Sequence, residues 1–446
     1  GDSSDTFTVP SGVGLTLTDS TLLLPTTITS TTEVKTNKIS PATGTAFTLG
    51  DSGDTFTLPS GATMVNSGTA TGFGQSLRPN VNPLIINGDM AVSQRTTSTS
   101  AVATNGYHAC DRWRWAELST AVVTISQDTD VPTGEGFATS LKVDVTTADA
   151  SLGAADNIMV QQKMEGQNLQ LLKKGTSSAE SLTLNFWVKS TKTGTYIATL
   201  YDRDNNRIIS KSYTVSVSDT WEEKLVTFAG DTTGALGNDN GASLDVWWWL
   251  GGGTDYTSGS LATSWETYTA ANIAPGQVNF TDNTSNNFLL TGAQLEVGEF
   301  TTSTIPSFQH ESFANNLQRC QRYYCTSVPY GTAPTNGLGA CCTGFSSSYY
   351  SGGFYMDPVF FPVNMRTAPT ASIVTSNNGN SAGMKMSWYR DGGAGAGCGW
   401  SYMTAAASGT WTDNTFSWNG SGMSCGSFSQ DETIVTQFNY IMDAEL

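Results

Sequence analysis

The chain has 446 residues, only 13% of them charged against about a quarter in an ordinary soluble protein, and it is rich in Thr, Ser and Gly, with 46 glycines. Its 21 basic and 38 acidic residues leave a net charge of -17 and no Lys/Arg cluster able to follow a phosphate backbone, which argues against nucleic acid as a partner. No apolar run is long enough to span a bilayer and no basic-then-apolar leader opens the chain, so membrane insertion is not expected.

The first element is a repeat. Gly1–Val13 (GDSSDTFTVPSGV) returns as Gly50–Ala62 (GDSGDTFTLPSGA), identical at ten of thirteen positions at an offset of 49. Each copy reads as one short strand between turn signals, with both edges exposed and too little apolar surface to bury alone. Three chains wound about a common axis would close those edges and pack Phe7 and Phe56, predicting a trimeric β shaft; a flexible Thr/Ser linker is the competing reading. Asn66 to Leu77 reads as the hinge that ends this region, which spans residues 1–78. Because Gly1 falls inside a repeat unit, an N-terminal anchoring portion is expected upstream.

From residue 79 to 305 the texture is that of ordered strands. Leu84–Met90 opens the region and Tyr107–Trp115 alternates aromatic and charged residues as a half-buried strand does. Further strands are expected at Ser181–Lys189, Gly194–Asp202, Ser212–Val217, Glu223–Phe228, Ser243–Leu250 and Asn287–Val297, with Asp202–Asn206 as a hairpin turn. Such spacing predicts a two-sheet sandwich. In Trp247-Trp248-Trp249, strand alternation sets Trp248 on the face opposite its neighbours. An exposed indole there, with Tyr256 nearby, would suit stacking on a pyranose, whereas a buried core Trp is the plainer alternative.

The order Ile85-Ile86-Asn87-Gly88-Asp89-Met90, then Trp113-Arg114-Trp115, then Asn185-Phe186-Trp187-Val188-Lys189-Ser190, closing on Gln294-Leu295-Glu296-Val297-Gly298, resembles jelly-roll carbohydrate-binding modules over residues 84–298. The resemblance implies a jelly roll, and for Asp89 and Glu296 it implies a structural calcium at the meeting of first and last strands. The same residues also read as a tight turn and an ordinary rim carboxylate. No other cofactor is expected.

Ser307 to Tyr324 predicts a helix, with Phe313, Leu317, Cys320 and Tyr324 on one narrow apolar seam. The seam would pack on the sandwich in a monomer or form a helical collar, residues 306–325, in a trimer. Residues 326–446 return to strands: Gly344–Tyr355, Val359–Val363, Thr370–Val374, Met384–Trp388, Thr415–Trp418 and Glu432–Asp443, which predict a C-terminal β-sandwich tip. Trp388, Tyr389, Trp400, Tyr402, Trp411 and Trp418 lie there among Gly, Ser and Asn, the composition of recognition loops on a β scaffold.

The run Leu317-Gln318-Arg319-Cys320-Gln321-Arg322-Tyr323-Tyr324, answered by Phe361-Pro362-Val363-Asn364-Met365-Arg366-Thr367-Ala368-Pro369-Thr370, closely resembles a motif pair of bacteriophage tail fibre proteins. It covers about fifty residues. The resemblance implies a virion appendage assembled in the bacterial host cytoplasm, usually a homotrimer. Such a fibre would be held by tail, baseplate or adaptor proteins through its upstream part and would bind a bacterial surface glycan or outer-membrane protein. A purely structural head or neck fibre is the alternative.

No constellation for catalysis stands out. The two histidines lie in different elements, there is no nucleophile elbow or phosphate loop, and the repeated coils of a polysaccharide-degrading tailspike are missing. An enzyme is therefore not expected. The seven cysteines show no Cys-x-x-Cys spacing, which leaves buried or free thiols rather than zinc.

Overall fold

The computed structural model describes residues 82–333, 342–350, 353–374, 385–389, 401–402, 409–411, 415–421 and 433–446. The chain divides into two units, Gly1–Ala70 and Thr71–Leu446, and the described residues belong to the second. The predicted shaft with Phe7 and Phe56, the hinge and Trp400 lie outside the described residues.

The fold is all-β. Before residue 300 the described strands are β1 (Ser98–Val102), β2 (Gly106–Tyr107), β3 (Arg114–Leu118), β4 (Val122–Asp128), β5 (Ser140–Thr147), β6 (Asn157–Glu165), β7 (Leu182–Ser190), β8 (Gly194–Asp202), β9 (Arg207–Val215), β10 (Glu222–Phe228), β11 (Ala242–Gly252), β12 (Glu266–Thr267) and β13 (Asn287–Val297). They form two antiparallel sheets, one in the order β1-β4-β5-β13-β7-β10 and the other β12-β9-β8-β11-β6-β3-β2. Between the sheets, Leu184, Phe186, Val188, Phe288 and Leu290 meet Val160, Ala198, Leu200, Val246 and Trp248 in one core. That single apolar layer holds the sandwich together.

Several predicted elements appear at their expected places. Gly194–Asp202 and Asn287–Val297 match residue for residue, and the turn at Asp202–Asn206 joins β8 to β9 with Asn206 at φ 52°, a left-handed position that Asn tolerates. Tyr107–Trp115 is a correction: it is not one strand but β2 and β3 joined by a turn in which Arg112 takes φ 71°. Leu84–Met90 is a tight turn, the reading already offered for Asn87 to Asp89. Asn87 sits at φ 57°, and Gly88 lies so close to β13 that a Cβ would stand 2.1 Å from the Ala293 carbonyl oxygen, leaving room only for glycine. The Asn87 amide donates to Val92 O and Asp111 O and accepts from Val92 N, so this turn ties three segments together.

The helix is shorter than predicted, Phe313–Gln321, with Ser312 as its N-cap accepting from Asn315 N at 3.3 Å. Before it the chain is held outside the helix, with Phe308 edge-on to Phe137 at 5.1 Å and His310 tilted against it at 5.4 Å. The predicted seam is also corrected: Phe313 is exposed, whereas Asn316 and Cys320 are buried. Cys320, Tyr323 and part of Leu317 pack against Ile86 and Val92 of the same chain. Cys110, Cys320 and Cys325 are buried free thiols.

After the helix, the described strands join into a nine-stranded antiparallel sheet organised on the last strand, Thr433–Asp443. Tyr324–Thr326, Cys342–Tyr350, Thr370–Val374 and Lys385–Tyr389 all pair with it. The chain end then returns to the sandwich. Arg112, 1% exposed, donates to the Glu445 carboxylate and to Lys163 O at 2.7 Å, and its guanidinium lies 3.5 Å over the Tyr323 ring. Arg95 lies 3.7 Å over the Tyr324 ring and pairs with Asp443 at 3.2 Å, Glu445 at 3.3 Å and Asp111 at 3.6 Å.

The two sequence motifs complete this clamp. Arg322 donates to Glu165 of β6 at 2.8 and 2.7 Å, Ala444 N donates to Tyr323 O at 2.7 Å, and Arg366 donates to Arg322 O and Ala444 O. Met365 is buried with its sulfur 3.9 Å from that of Cys325. Replacing one partner of a buried, hydrogen-bonded ion pair strands the other charge. Glu445→Ala is therefore expected to lower the unfolding free energy by about 3–5 kcal/mol in a denaturant titration. The double change Arg112→Met with Glu445→Gln is expected to cost less than that single one.

Candidate binding face

The outer face of the seven-stranded sheet carries side chains unlike those of an ordinary solvated sheet. Strand register sets Tyr107, Arg114, Gln161, Trp247, Thr199 and Ser210 in one row across β2, β3, β6, β11, β8 and β9. A second row runs Lys163, Asp245, Tyr201, Ile208 and Glu266. Because side chains alternate between faces, Trp247 and Trp249 point outward while Trp248 enters the core.

The face has a covered half and an accessible half. Over β8 and β9 the segment 253–276 folds back, with Ala262, Ile273 and Ala274 packed on Ile197, Ile208 and Trp249. Ser210 N donates to Ala262 O at 2.7 Å, and Thr199 and Ser210 are sealed beneath. Over β11, β6, β3 and β2 no such strap runs among the described residues. Trp247 and Gln161 form a recessed floor there, retaining 8% and 4% exposure, between half-exposed Tyr201, Lys163 and Arg114.

Aromatic rings line one side of this floor. Tyr201 lies 5.0 Å from Trp247 and 5.6 Å from Tyr268, and Trp249 lies 5.4 Å from Tyr256. Trp247 Nε1 donates to Asp245 at 3.1 Å, which fixes the indole. Asp245, fully buried, also accepts from Arg203 Nε at 2.8 Å and Nη2 at 2.6 Å. Fixed rings with polar neighbours can offer a face to stack on and hydrogen bonds at its edge.

The other side is cationic. Lys163 donates to the Leu446 main-chain oxygen at 2.6 Å, and Tyr107 OH donates to the same oxygen at 3.1 Å. Burial lowers the Lys163 ammonium to about 8, and the guanidiniums of Arg203, Arg114 and Arg112 press it the same way, against Asp245. Arg114 and Gln161 make no side-chain hydrogen bond or ion pair with any described residue.

The residues singled out in the sequence separate here. Trp248, expected as a receptor contact, is a correction: it is fully buried between the sheets, 5.2 Å from Trp113 and 5.8 Å from Phe186. Tyr256 does lie on the outer face, against Trp249, with Asn157 donating to its hydroxyl at 3.3 Å. Trp388, Tyr389, Tyr402, Trp411 and Trp418 fall on strands of the C-terminal sheet, and their side chains lie outside the described residues.

The Asp89 carboxylate accepts from Asn316 Nδ2 at 3.1 Å and Ala91 N at 3.4 Å, while Glu296 is buried on β13. Among the described residues no three His, Cys, Asp or Glu side chains gather as an ion site. Carboxylate and carbonyl oxygens do converge elsewhere, but on an ammonium: Lys174 Nζ is held by Asp202, by Asp231 at 3.0 Å, and by the carbonyls of Thr233 at 2.9 Å and Gly234 at 3.0 Å.

Sequence reasoning found the indoles of β11 but missed Arg114, Gln161, Lys163 and Tyr201 as their neighbours. The run Asn157–Glu165 holds apolar and polar residues in blocks rather than in alternation, so β6 is not legible as a strand and the rows it bridges cannot be drawn.

No protein-family model and no curated protein matches the chain. Among solved structures it is similar to the enzymatically active domain of tailspike protein 4 of bacteriophage CBA120, at 16% identity over 42% of this chain and 19% of that one, with a TM-score of 0.25. It is also similar to a family 11 carbohydrate-binding module from Clostridium thermocellum in complex with a β-1,3-1,4-mixed-linked tetrasaccharide, at 12% identity over 49% and 99% of the chains, with a TM-score of 0.24. A CBM22-1-CBM22-2 tandem domain from Paenibacillus barcinonensis aligns at 10% identity over 80% and 98%, with a TM-score of 0.22. The chain spans about a fifth of the tailspike domain's length. At such TM-scores the functional reading rests on the chain's own residues.

The depressed Lys163 gives a pH prediction. The folded chain releases this proton near pH 8, whereas an unfolded lysine keeps it to 10.5, so the unfolded state binds more protons in between. This group therefore makes stability rise with pH over that window. Lys163→Met is expected to remove that contribution, seen as the difference in slope of unfolding free energy against pH between the two proteins.

Proposed function

We propose that the chain binds a glycan on the outer face of its seven-stranded sheet and serves as the receptor-binding part of a phage tail fibre. The observation that carries the glycan reading is the fixed aromatic floor of Trp247 beside Tyr201, flanked by the polar row of Arg114 and Gln161. An indole or phenol face stacks on the apolar face of a sugar ring, and adjacent donors take its hydroxyls. The motif pair supports the fibre reading, with its residues acting as an internal clamp rather than as receptor contacts.

In this reading the protein recognises without cleaving. Of the carboxylates on the face, Asp245 and Glu165 are each held by a guanidinium, of Arg203 and Arg322, and Glu266 accepts from Asn272 Nδ2 at 2.8 Å, an arrangement that does not supply the acid and base pair of a glycosidase. The fibre would be a homotrimer attached to the particle through tail or adaptor proteins, and several weak sites would gain strength by avidity.

The test is direct binding of the purified chain to a panel of bacterial surface glycans by calorimetry. Tyr201→Ala is expected to weaken binding by up to about tenfold, the loss of one stacked ring in the range of about 0.5–1.5 kcal/mol. Unchanged affinity in a variant with native unfolding behaviour would remove this face from the reading. Sedimentation is expected to give three times the chain mass, and a monomer would sink the trimeric fibre.

A further inference from the structure

The cations of the accessible half stand out against the rest of the molecule. The chain has a net charge of -17, yet Arg114, Lys163 and Arg203 gather on one stretch of sheet around Asp245, which is already engaged by Arg203. Lys163 is next to Gln161 on the same face of β6, two residues along, and Gln161 is the cross-strand partner of Arg114. Arg114 has no carboxylate within ion-pair distance among the described residues. Mutual repulsion of cations without a counter-charge is unfavourable, and a bound anion relieves it.

Gln161 supplies an independent observation. Its side chain is 96% buried by its 4% exposure, yet it has no hydrogen-bond partner, and neither amide atom is among those sealed from solvent. A buried amide left without partners costs free energy unless something outside the protein completes it. Its amide end therefore opens onto the accessible floor beside the Arg114 guanidinium.

We propose that the glycan bound here carries a carboxylate, as uronic and sialic acids do, and that Arg114 and Gln161 read that group while Trp247 and Tyr201 hold the ring. The planar fork of a guanidinium matches the two oxygens of a carboxylate, and the Gln161 amide adds a neutral donor beside it. Lys163 contributes long-range attraction rather than a fixed contact, since its ammonium is already bonded to the Leu446 oxygen. This inference rests on the glycan reading of the same face but fails separately from it.

The experiment is calorimetric titration of the full chain with oligogalacturonate and with oligosialic acid. Each is compared with its carboxyl-reduced form, and cello- and xylo-oligosaccharides serve as neutral sugars. At least one acidic probe is expected to bind about tenfold more tightly than its carboxyl-reduced form, and to weaken as salt is raised. Arg114→Gln is expected to abolish that preference. Arg114 is half-exposed and unpaired, so the variant should fold; the wild-type salt and reduction series carry the test in any case.

The acidic probe that binds separates a uronic from a sialic source. Equal affinity for acidic and reduced forms would overturn the carboxylate inference while leaving the glycan face intact. An acid preference that survives Arg114→Gln would overturn the assignment to this pair. Absence of binding by acidic and neutral sugars alike would overturn both the inference and the face.

Discussion

The buried pair of Arg112 and Glu445 is the contact on which the rest of the second unit depends. Arg112 belongs to a turn between β2 and β3 and must adopt a left-handed backbone to aim inward, while Glu445 is the penultimate residue of the chain. Their meeting closes the chain end onto the sandwich over a separation of 333 residues. Two charges removed from water are stable together only when their geometry is good and further hydrogen bonds satisfy their remaining lone pairs and protons. Tyr323 beneath the guanidinium, the Lys163 carbonyl and the neighbouring Arg95 cluster meet most of that demand, and Arg112 Nε is left buried without a hydrogen-bond partner.

That clamp also places the binding face. Lys163 and Tyr107, which border the accessible floor, both donate to Leu446, so the chain end that locks Arg112 also trims the edge of the face. Glu165, on the same strand as Gln161, is held by Arg322 from the helix region. The two strongest motifs in the sequence thus act at a distance: they fix β6 and the chain end, and those fix the rows that include Trp247.

Each half of the outer face is shaped by a different force. Over β8 and β9, apolar burial draws the 253–276 segment down and seals Thr199 and Ser210, which satisfy each other at 2.8 Å. Over β3 and β6, charge prevents such closure. An apolar strap laid over this half would have to desolvate the unpartnered Arg114 guanidinium and the Lys163 ammonium, which has only the Leu446 oxygen, so this half stays open to water.

The sequence by itself determined the all-β class, the positions of β7, β8, β10, β11 and β13 and part of β9, the hairpin at Asp202–Asn206 and the division of the three indoles between two faces. Each of these follows from period-2 alternation or from turn residues whose backbone preferences are local. It also marked the motif residues, though not their role as a clamp. The tertiary structure decided which face is sealed, that Trp248 is core, that the helix begins only at Phe313, and that Arg114, Gln161, Lys163 and Tyr201 surround Trp247. Those facts depend on strand register and on contacts between residues far apart in the chain, and no local pattern encodes which distant strand lies beside another.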